Sequence, residues 1–255
     1  MPVQVKNPHS VLAALLNRPK DVKAIAMSPT LAESDQVWGR VAKLARENKI
    51  QIQSAKAVRP ADKGERGDRG DGRVGIAEAT ILEKQPISCE ELFADAQEKK
   101  GGKGLWLALD CLQDPHNVGA IFRAASFFGV QGILMTQERS APLSSTVYDI
   151  SCGGIETVPF ASQVNLRQAL EAAKEAGLWI LGTSEHAHDS YLKIDRDRPW
   201  LLVLGNEEKG MRRLTEESCD LMCRVDPISA GTDAQGQVTS LNVSVAAGIL
   251  ISRFA

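Results

Sequence analysis

Three short polar segments after Gly104 contain residue types that bind anions or orient a substrate. The first motif segment, 110–123, carries Asn117 and Arg123 around the start of a predicted helix. An arginine near a helix start can hold a phosphate, because its guanidinium and the free backbone N–H groups all donate hydrogen bonds. Six helical residues turn through about 600°, so the two side chains lie about 120° apart and need not touch. This segment alone equally fits an asparagine cap and a surface arginine.

The second motif segment, 204–211, follows an apolar strand and places Asn206 and Glu207 between Gly205 and Gly210. Glycines let the backbone come close to a ligand. The spacing matches neither of the glycine-rich loops that grip phosphates. By itself, the segment therefore also fits a plain turn between a strand and a helix.

The third motif segment, 240–248, opens a predicted helix of small residues with Ser240, Leu241 and Asn242. Ser and Asn at a helix start donate and accept hydrogen bonds, and the small residues that follow permit close helix packing. A capped helix with an alanine-rich interface is the structural alternative for this segment.

The elements that must position these segments alternate between strands and helices. After Gly104, apolar strands are predicted at 105–109, 132–135, 178–182 and 200–204, and helices at 118–128, 166–176 and 243–253. Continuous apolar strands that alternate with helices predict an α/β fold with a parallel sheet covered on both faces. Ligands of such sheets bind beyond the carboxyl ends of the strands, and two of the three segments include or adjoin such an end.

A smaller α/β domain is predicted for residues 1–85, followed by a linker over 86–103 and the larger domain over 104–255. The small domain has predicted helices at 10–16, with Ser10 as a possible cap, and at 31–48, and predicted strands at 22–27, 50–52 and 74–82. Residues 1–73 contain 14 Lys and Arg against 8 Asp and Glu, a surplus suited to phosphates. The charged, glycine-rich stretch 59–73 is predicted to be a mobile loop.

Composition excludes several classes of protein. No apolar run reaches the roughly 18 residues needed to span a bilayer, and residues 1–6 lack the apolar core of an export signal. The five cysteines form no CxxC pair, which favours a reducing cytoplasm and inert thiols. His186 and His188 have no third ligand nearby in the sequence, so no metal site is expected.

Together, in this order and spacing, the three segments resemble the motifs of the SpoU/TrmH family of RNA 2′-O-ribose methyltransferases, within the SPOUT superfamily. The resemblance covers residues 104–253. It extends weakly to 9–16 and 75–77, which look like parts of the ribosomal-protein-like RNA-binding domain of the 23S rRNA guanosine methyltransferase branch. The resemblance implies a parallel-sheet catalytic domain with a deep C-terminal trefoil knot.

The resemblance also implies a reaction, the transfer of a methyl group from S-adenosylmethionine to a ribose 2′-hydroxyl. Arg123 would bind the RNA phosphate and stabilise the forming alkoxide, and the residues that orient the site would be Asn117, Glu207, Ser240 and Asn242. The cofactor-binding positions would be Thr183, Gly205, Asn206, Val225, Ile228 and Leu241. The stretch 228–239, which precedes the Ser240-Leu241-Asn242 motif, is longer than the corresponding stretch in the family. The cofactor contacts at 225–230 are therefore expected to differ from the family pattern.

Two partners follow from the resemblance, a second copy of the chain in a homodimer and a structured RNA. Ribosomal RNA is favoured over tRNA, since tRNA-specific relatives often lack the N-terminal domain. The alternatives are a tRNA ribose methyltransferase and a non-catalytic RNA-binding assembly factor with the same fold.

Overall fold

A computed structural model describes residues 1–55, 77–226 and 240–255 of the protein, which divide into two compact units, Met1–Lys84 and Gln85–Ala255. The predicted loop at 59–73 and the predicted cofactor residue Ile228 lie outside the described residues. Of the helices that are described, none combines the length and apolar character needed to cross a membrane.

The first unit contains a four-stranded sheet in the order β1-β4-β2-β3. Its strands are β1 (Pro2–Val5), β2 (Val22–Met27), β3 (Ile52–Ser54) and β4 (Glu78–Leu82). β4 runs antiparallel to β1 and β2, whereas β3 is parallel to β2. A small α/β fold is therefore present over these residues.

The helices of this unit are α1 (Pro8–Asn17), α2 (Pro29–Ser34) and α3 (Gln36–Glu47). Asn7 caps α1 by accepting the backbone N–H of His9, and Ser10 is buried inside the helix, so the predicted cap at Ser10 is wrong. The predicted helix at 31–48 is interrupted at Asp35. This residue is extended, and its carboxylate accepts the backbone N–H groups of Val37 and Trp38, so it begins a new helix.

The second unit contains a parallel sheet whose seven described strands run in the order β7-β6-β5-β10-β8-β11-β9. These strands are β5 (Leu105–Leu109), β6 (Gly132–Thr136), β7 (Phe160–Gln163), β8 (Trp179–Thr183), β9 (Asp189–Ser190), β10 (Trp200–Leu204) and β11 (Leu221–Arg224). Every pairing is parallel, and β5 and β10 are buried along their whole length. The predicted parallel sheet is confirmed.

The helices of the second unit are α4 (Cys89–Phe93), α5 (Pro115–Phe128), α6 (Ser145–Ser151), α7 (Gly154–Thr157), α8 (Leu166–Glu175), α9 (Arg213–Glu216) and α10 (Val243–Phe254). Within the predicted linker 86–103, Leu92 and Phe93 are buried in the same core as Trp106. The Trp106 indole donates to the Leu92 carbonyl at 3.0 Å. This stretch is therefore part of the second unit, because its apolar side chains cover the sheet.

Helix α5 carries Asn117 and Arg123 of the first motif segment. The backbone of α5 at Phe122 and Arg123 packs closely against Gly154 at the start of α7. A Cβ at Gly154 would lie 2.4 Å from the Phe122 carbonyl oxygen and 3.0 Å from the Arg123 nitrogen. One turn further along, the hydroxyls of Ser126 and Thr157 are hydrogen-bonded at 2.7 Å. The close approach of α7 thus depends on the missing side chain of Gly154.

Replacing Gly154 with alanine should lower the free energy of unfolding by about 1–3 kcal/mol, because the new methyl group meets backbone that cannot swing aside. Urea denaturation at fixed protein concentration measures the change. Gly248→Ala is the control, since a Cβ at Gly248 on α10 meets no described atom within 4 Å. Equal stabilities of the two variants would show that α7 does not need this contact.

Candidate active site

The first and second motif segments start side by side at the carboxyl edge of the sheet. β5 and β10 are neighbours, with Leu109 opposite Leu204 at their ends. The next residue, Asp110, donates its backbone N–H to the Leu204 carbonyl at 2.9 Å. The pairing of two apolar strands therefore brings together segments that are about 90 residues apart in the sequence.

The Asn117 side chain links all three motif segments. Its Nδ2 donates to Glu207 Oε1 at 3.1 Å, and its Oδ1 accepts from Asn242 Nδ2 at 3.0 Å. Asn117 is only 5% exposed, so water cannot easily replace these partners. The Oδ1 atom of Asn242 also accepts the Ser244 N–H at the start of α10. One amide thus joins the starts of two helices to the loop after β10.

The loop of the second motif segment is held closed by its own hydrogen bonds. Asn206 and Gly210 exchange two backbone bonds of 3.0 and 2.9 Å, and Asn206 Nδ2 donates to the Cys111 carbonyl at 2.9 Å. A Cβ at Gly205 would lie 2.4 Å from the Met211 nitrogen, so the return of the chain requires glycine there. The Asn206 side chain thereby organises the loop that presents Glu207.

A buried ion pair anchors the far end of this loop, and the sequence analysis did not find it. Asp110 is fully buried, and its carboxylate accepts the backbone N–H of Arg212 at 3.0 Å and its Nε at 2.7 Å. An unpaired carboxylate at this depth would cost several kcal/mol. The signal that was available is an aspartate directly after the last apolar residue of a strand.

The motif segments surround a cavity of about 770 Å³. That volume lies within the range of roughly 300–1,000 Å³ typical of small-molecule sites. Its lining residues are Cys111, Gln113, Asp114, Asn117, Arg139, Asn206, Glu207, Glu208, Lys209, Gly210, Met211, Arg212, Arg213 and Asn242. The walls therefore carry both signs of charge around the Asn117 amide.

Arg123 and the first two residues of the third motif segment stand outside this hydrogen-bonded group. The Arg123 side chain is exposed, does not line the cavity and has no hydrogen-bond or ion-pair partner among the residues that the structure describes. This agrees with the predicted angular separation from Asn117 on α5. Ser240 and Leu241 are exposed just before α10.

Three of the predicted cofactor residues lie at the ends of neighbouring strands. Thr183 ends β8, Gly205 follows β10 and Val225 follows β11, and these strands are adjacent in the sheet. The Thr183 hydroxyl donates to the Val203 carbonyl at 2.9 Å, which ties the end of β8 to β10. The carboxyl edge of the sheet thus collects these positions, as it does in other parallel sheets.

The thiols below this edge are poor nucleophiles. Burial raises the pKa of Cys219 and of Cys223 to about 12, so both are protonated near neutral pH. Cys219 packs with Met222 against the backbone of Gly182 in β8, where a Cβ would lie 2.7 Å from the thiol sulfur. No group of three or more metal-binding side chains occurs within residues 1–55, 77–226 and 240–255.

Asn117→Asp should destabilise the protein by about 2 kcal/mol at pH 7, because it sets a second carboxylate beside Glu207. The repulsion raises the pKa of the pair. The loss in free energy of unfolding is therefore present at neutral pH. It disappears as the pH falls, because the two carboxyls then share one proton. Urea unfolding at pH 7 and pH 5 measures the effect. Gln113→Glu adds the same charge to the same cavity, and an equal, pH-independent loss in both variants would contradict the assigned role of Asn117.

The amino-acid sequence is similar to proteins of a known family. The model of the SpoU rRNA Methylase family matches residues 104–252. The 23S rRNA (guanosine-2′-O-)-methyltransferase RlmB of Pseudomonas aeruginosa is 34% identical over 248 residues, which cover 95% of this chain and 92% of that protein. The enzyme of the same name from Nitrosomonas europaea is 45% identical over 177 residues, covering 69% of this chain and 64% of that one.

Solved structures support the fold. The SpoU methyltransferase AviRb from Streptomyces viridochromogenes, in complex with the cofactor AdoMet, has a TM-score of 0.73 at 19% identity. The match covers 98% of this chain and 88% of AviRb. The family model spans more than half of the sequence, and a relative above 30% identity spans nearly all of it. This chain therefore belongs to the SpoU rRNA methylase family.

Proposed function

We propose that this protein transfers a methyl group from S-adenosylmethionine to a ribose 2′-hydroxyl of structured RNA, with a guanosine of 23S rRNA as the target. The observation that carries the proposal is the hydrogen-bonded group of Asn117, Glu207 and Asn242, which joins three motif segments beside one cavity. The family supplies the type of reaction. Relatives that align over nearly the whole chain bear the name of a 23S rRNA enzyme, which favours that RNA over tRNA.

The residues present fit the proposed cofactor. The adjacent strand ends at Thr183, Gly205 and Val225 offer backbone donors and acceptors to an adenine, and Leu241 offers an apolar surface that is about half exposed. Asn206 would contribute by holding the loop rather than through its side-chain amide, which bonds to Cys111 and Glu207. When bound, the cofactor supplies an electrophilic methyl group.

Arg123 would act on the RNA. A guanidinium is a delocalised cation with five N–H donors and no acceptor, which makes Arg123 a poor base and a good anion binder. It is exposed and suited to hold a phosphate beside the reacting ribose and to stabilise the alkoxide that forms at the 2′-oxygen. The polar group around Asn117, with Ser240, would orient that oxygen for in-line attack.

The C-terminal trefoil knot is also part of the proposal. The last described strand, β11, pairs with β8 and β9, whereas Asn242 bonds to Asn117 on α5, beyond β10 and β5. Asn242 therefore lies on the β5 side of the sheet, whereas β11 lies on the β8 side. α10 then packs against α5 and β10. A knot of this kind would confine the cofactor between crossing segments.

The first unit would serve as the RNA-binding domain of the ribosomal-protein-like type. Its support is a four-stranded sheet with helices, together with the surplus of basic residues over 1–73. Long-range attraction between this surplus and phosphates would raise the rate at which RNA is captured. The 2′-hydroxyl would still be selected by the second unit.

A homodimer through α5 and α10 completes the proposal. These helices pack against each other and expose apolar side chains, with Phe127 82% exposed and Val245 about half exposed. Exposed apolar side chains on two helices that pack together would suit a contact with a second copy of the chain. A second copy would place its own α5, and hence its Arg123, near the interface.

Purified protein with labelled S-adenosylmethionine should methylate 23S rRNA transcripts and leave tRNA transcripts unmodified, and mapping should place the modification on a guanosine ribose. Arg123→Ala should lower kcat by about 100-fold or more while the cofactor Kd stays within about twofold. Isothermal titration measures the second quantity.

The matched control is Arg167→Ala, which removes an exposed arginine on α8 that pairs with Glu171. Turnover of the Arg123 variant at the control rate would refute the role of Arg123. Absence of cofactor binding at millimolar concentration would instead favour a non-catalytic RNA-binding protein, and methylation of tRNA alone would select the other alternative.

Phe127→Asp should convert the dimer to monomer, because a charge placed in an apolar interface cannot be solvated. Sedimentation velocity over a range of concentrations measures the change. Val164→Asp is the control, since Val164 is 58% exposed between β7 and α8, away from the proposed interface. A wild-type protein that sediments as a monomer, or a variant that still dimerises, would contradict the proposed interface.

A further inference from the structure

Arg212 presents part of its guanidinium to the cavity in a fixed direction. Its backbone N–H and its Nε atom are bound to the buried carboxylate of Asp110. Its Nη1 and Nη2 atoms make no hydrogen bond with any described residue, and the side chain lines the cavity. A guanidinium held at Nε by a carboxylate keeps the N–H donors of Nη1 and Nη2 for an anion.

Arg139 reaches the same cavity from the loop after β6, which contains none of the motif segments. It adopts the left-handed conformation, with φ of +57°, which an arginine rarely adopts. The loop is fixed to the first motif segment, because Thr136 Oγ1 accepts the Cys111 N–H at 2.9 Å and the Ala141 N–H donates to the Leu112 carbonyl at 2.8 Å.

The Arg139 side chain is exposed, lines the cavity and has no ion-pair partner in the described part of the chain. Strained backbone that surrounding hydrogen bonds hold in place is common at ligand sites. Here the strain sets the position of a cation.

We infer that Arg212 and Arg139 form an anion subsite for a phosphodiester of the substrate RNA, separate from the phosphate that Arg123 would hold. The inference rests on the proposed function, which supplies RNA as the substrate. A phosphodiester has two non-bridging oxygens and one negative charge, which match the paired N–H groups of a guanidinium. Arg212 is paired with Asp110 through Nε. The described carboxylates that line the cavity, Asp114, Glu207 and Glu208, form no ion pair with either arginine.

The other anion available to the cavity is the carboxylate of the cofactor, and the sheet order argues against it. The proposed cofactor positions follow β10, β8 and β11, whereas Arg139 follows β6. β6 and β8 are three strand positions apart, or about 14 Å at a spacing of about 4.8 Å. A cofactor held at β8 and β11 therefore leaves the β6 side of the cavity to the RNA.

The test is Arg139→Ala in the full-length protein, since an exposed side chain can be removed without loss of the fold. The KM for 23S rRNA transcript should rise about tenfold, the loss of one charge-assisted hydrogen bond, with kcat within about twofold and an unchanged cofactor Kd. The slope of log binding constant against log salt concentration should fall in magnitude by about 0.7–1, as expected for one lost phosphate contact.

Arg212→Lys provides a second variant that keeps the charge and can still pair with Asp110. It should also raise the KM for RNA, because a lysine has no second edge to offer a phosphate. Arg167→Ala again serves as the control for the loss of a surface charge. If Arg139→Ala weakens cofactor binding and leaves the KM for RNA unchanged, the anion is the cofactor carboxylate and the inference is overturned.

An unchanged salt slope and KM in Arg139→Ala would also overturn the inference. Failure of the proposed function is a separate result, since the wild type would then bind RNA without methylating it. In that event the salt slope for equilibrium binding, which requires no turnover, still decides whether Arg139 contacts a phosphate.

Discussion

A single buried amide holds the candidate site together. Asn117 donates to Glu207 and accepts from Asn242, so the loop after β10 and the start of α10 are both positioned against α5. Either broken bond would leave a polar atom of the largely buried Asn117 without its protein partner, which costs about 1–3 kcal/mol. The relative placement of three segments scattered over about 130 residues thus depends on one side chain that is itself fixed by the helix beginning at Pro115.

The second constraint is electrostatic. The fully buried carboxylate of Asp110 needs a cation, and Arg212 supplies both its side chain and its backbone N–H. This pair fixes the end of the second motif loop at Arg212. The start of that loop is fixed at Gly205, whose backbone packs closely against Gly210 and Met211. A loop held at both ends can present Glu207 and an oriented guanidinium without reorganising when a ligand binds. Such preorganisation is the main source of electrostatic rate enhancement.

The proposed division of the site follows from the order of the strands. The cofactor positions gather where β10, β8 and β11 end, and the cations that suit RNA lie towards β5 and β6 or on the outer surface of α5. The polar group around Asn117 stands between these regions. A methyl donor and a sugar hydroxyl bound on either side of it would lose little further translational and rotational entropy on reacting, which lowers the barrier.

Local sequence determined four of the seven described strands of the second unit, β5, β6, β8 and β10, and the identity of the motif residues. The predicted strands 105–109 and 200–204 coincide with β5 and β10, because an uninterrupted apolar run between polar turns has few alternatives. The resemblance of the three segments to a family motif supplied the candidate site residues. The hydrophobic pattern did not predict the side-chain cap at Asp35, which ends one helix and begins the next. It also did not predict that residues within 86–103 pack onto the core.

Tertiary structure decided which of these residues meet. The strand order places β10 beside β5, although β6, β7, β8 and β9 come between them in the chain. That neighbourhood, rather than any spacing in the sequence, brings Glu207 to Asn117 and Arg212 to Asp110. A sequence records which groups can donate or accept, whereas contact between distant groups depends on strand pairing and burial, which arise only when the whole sheet has formed.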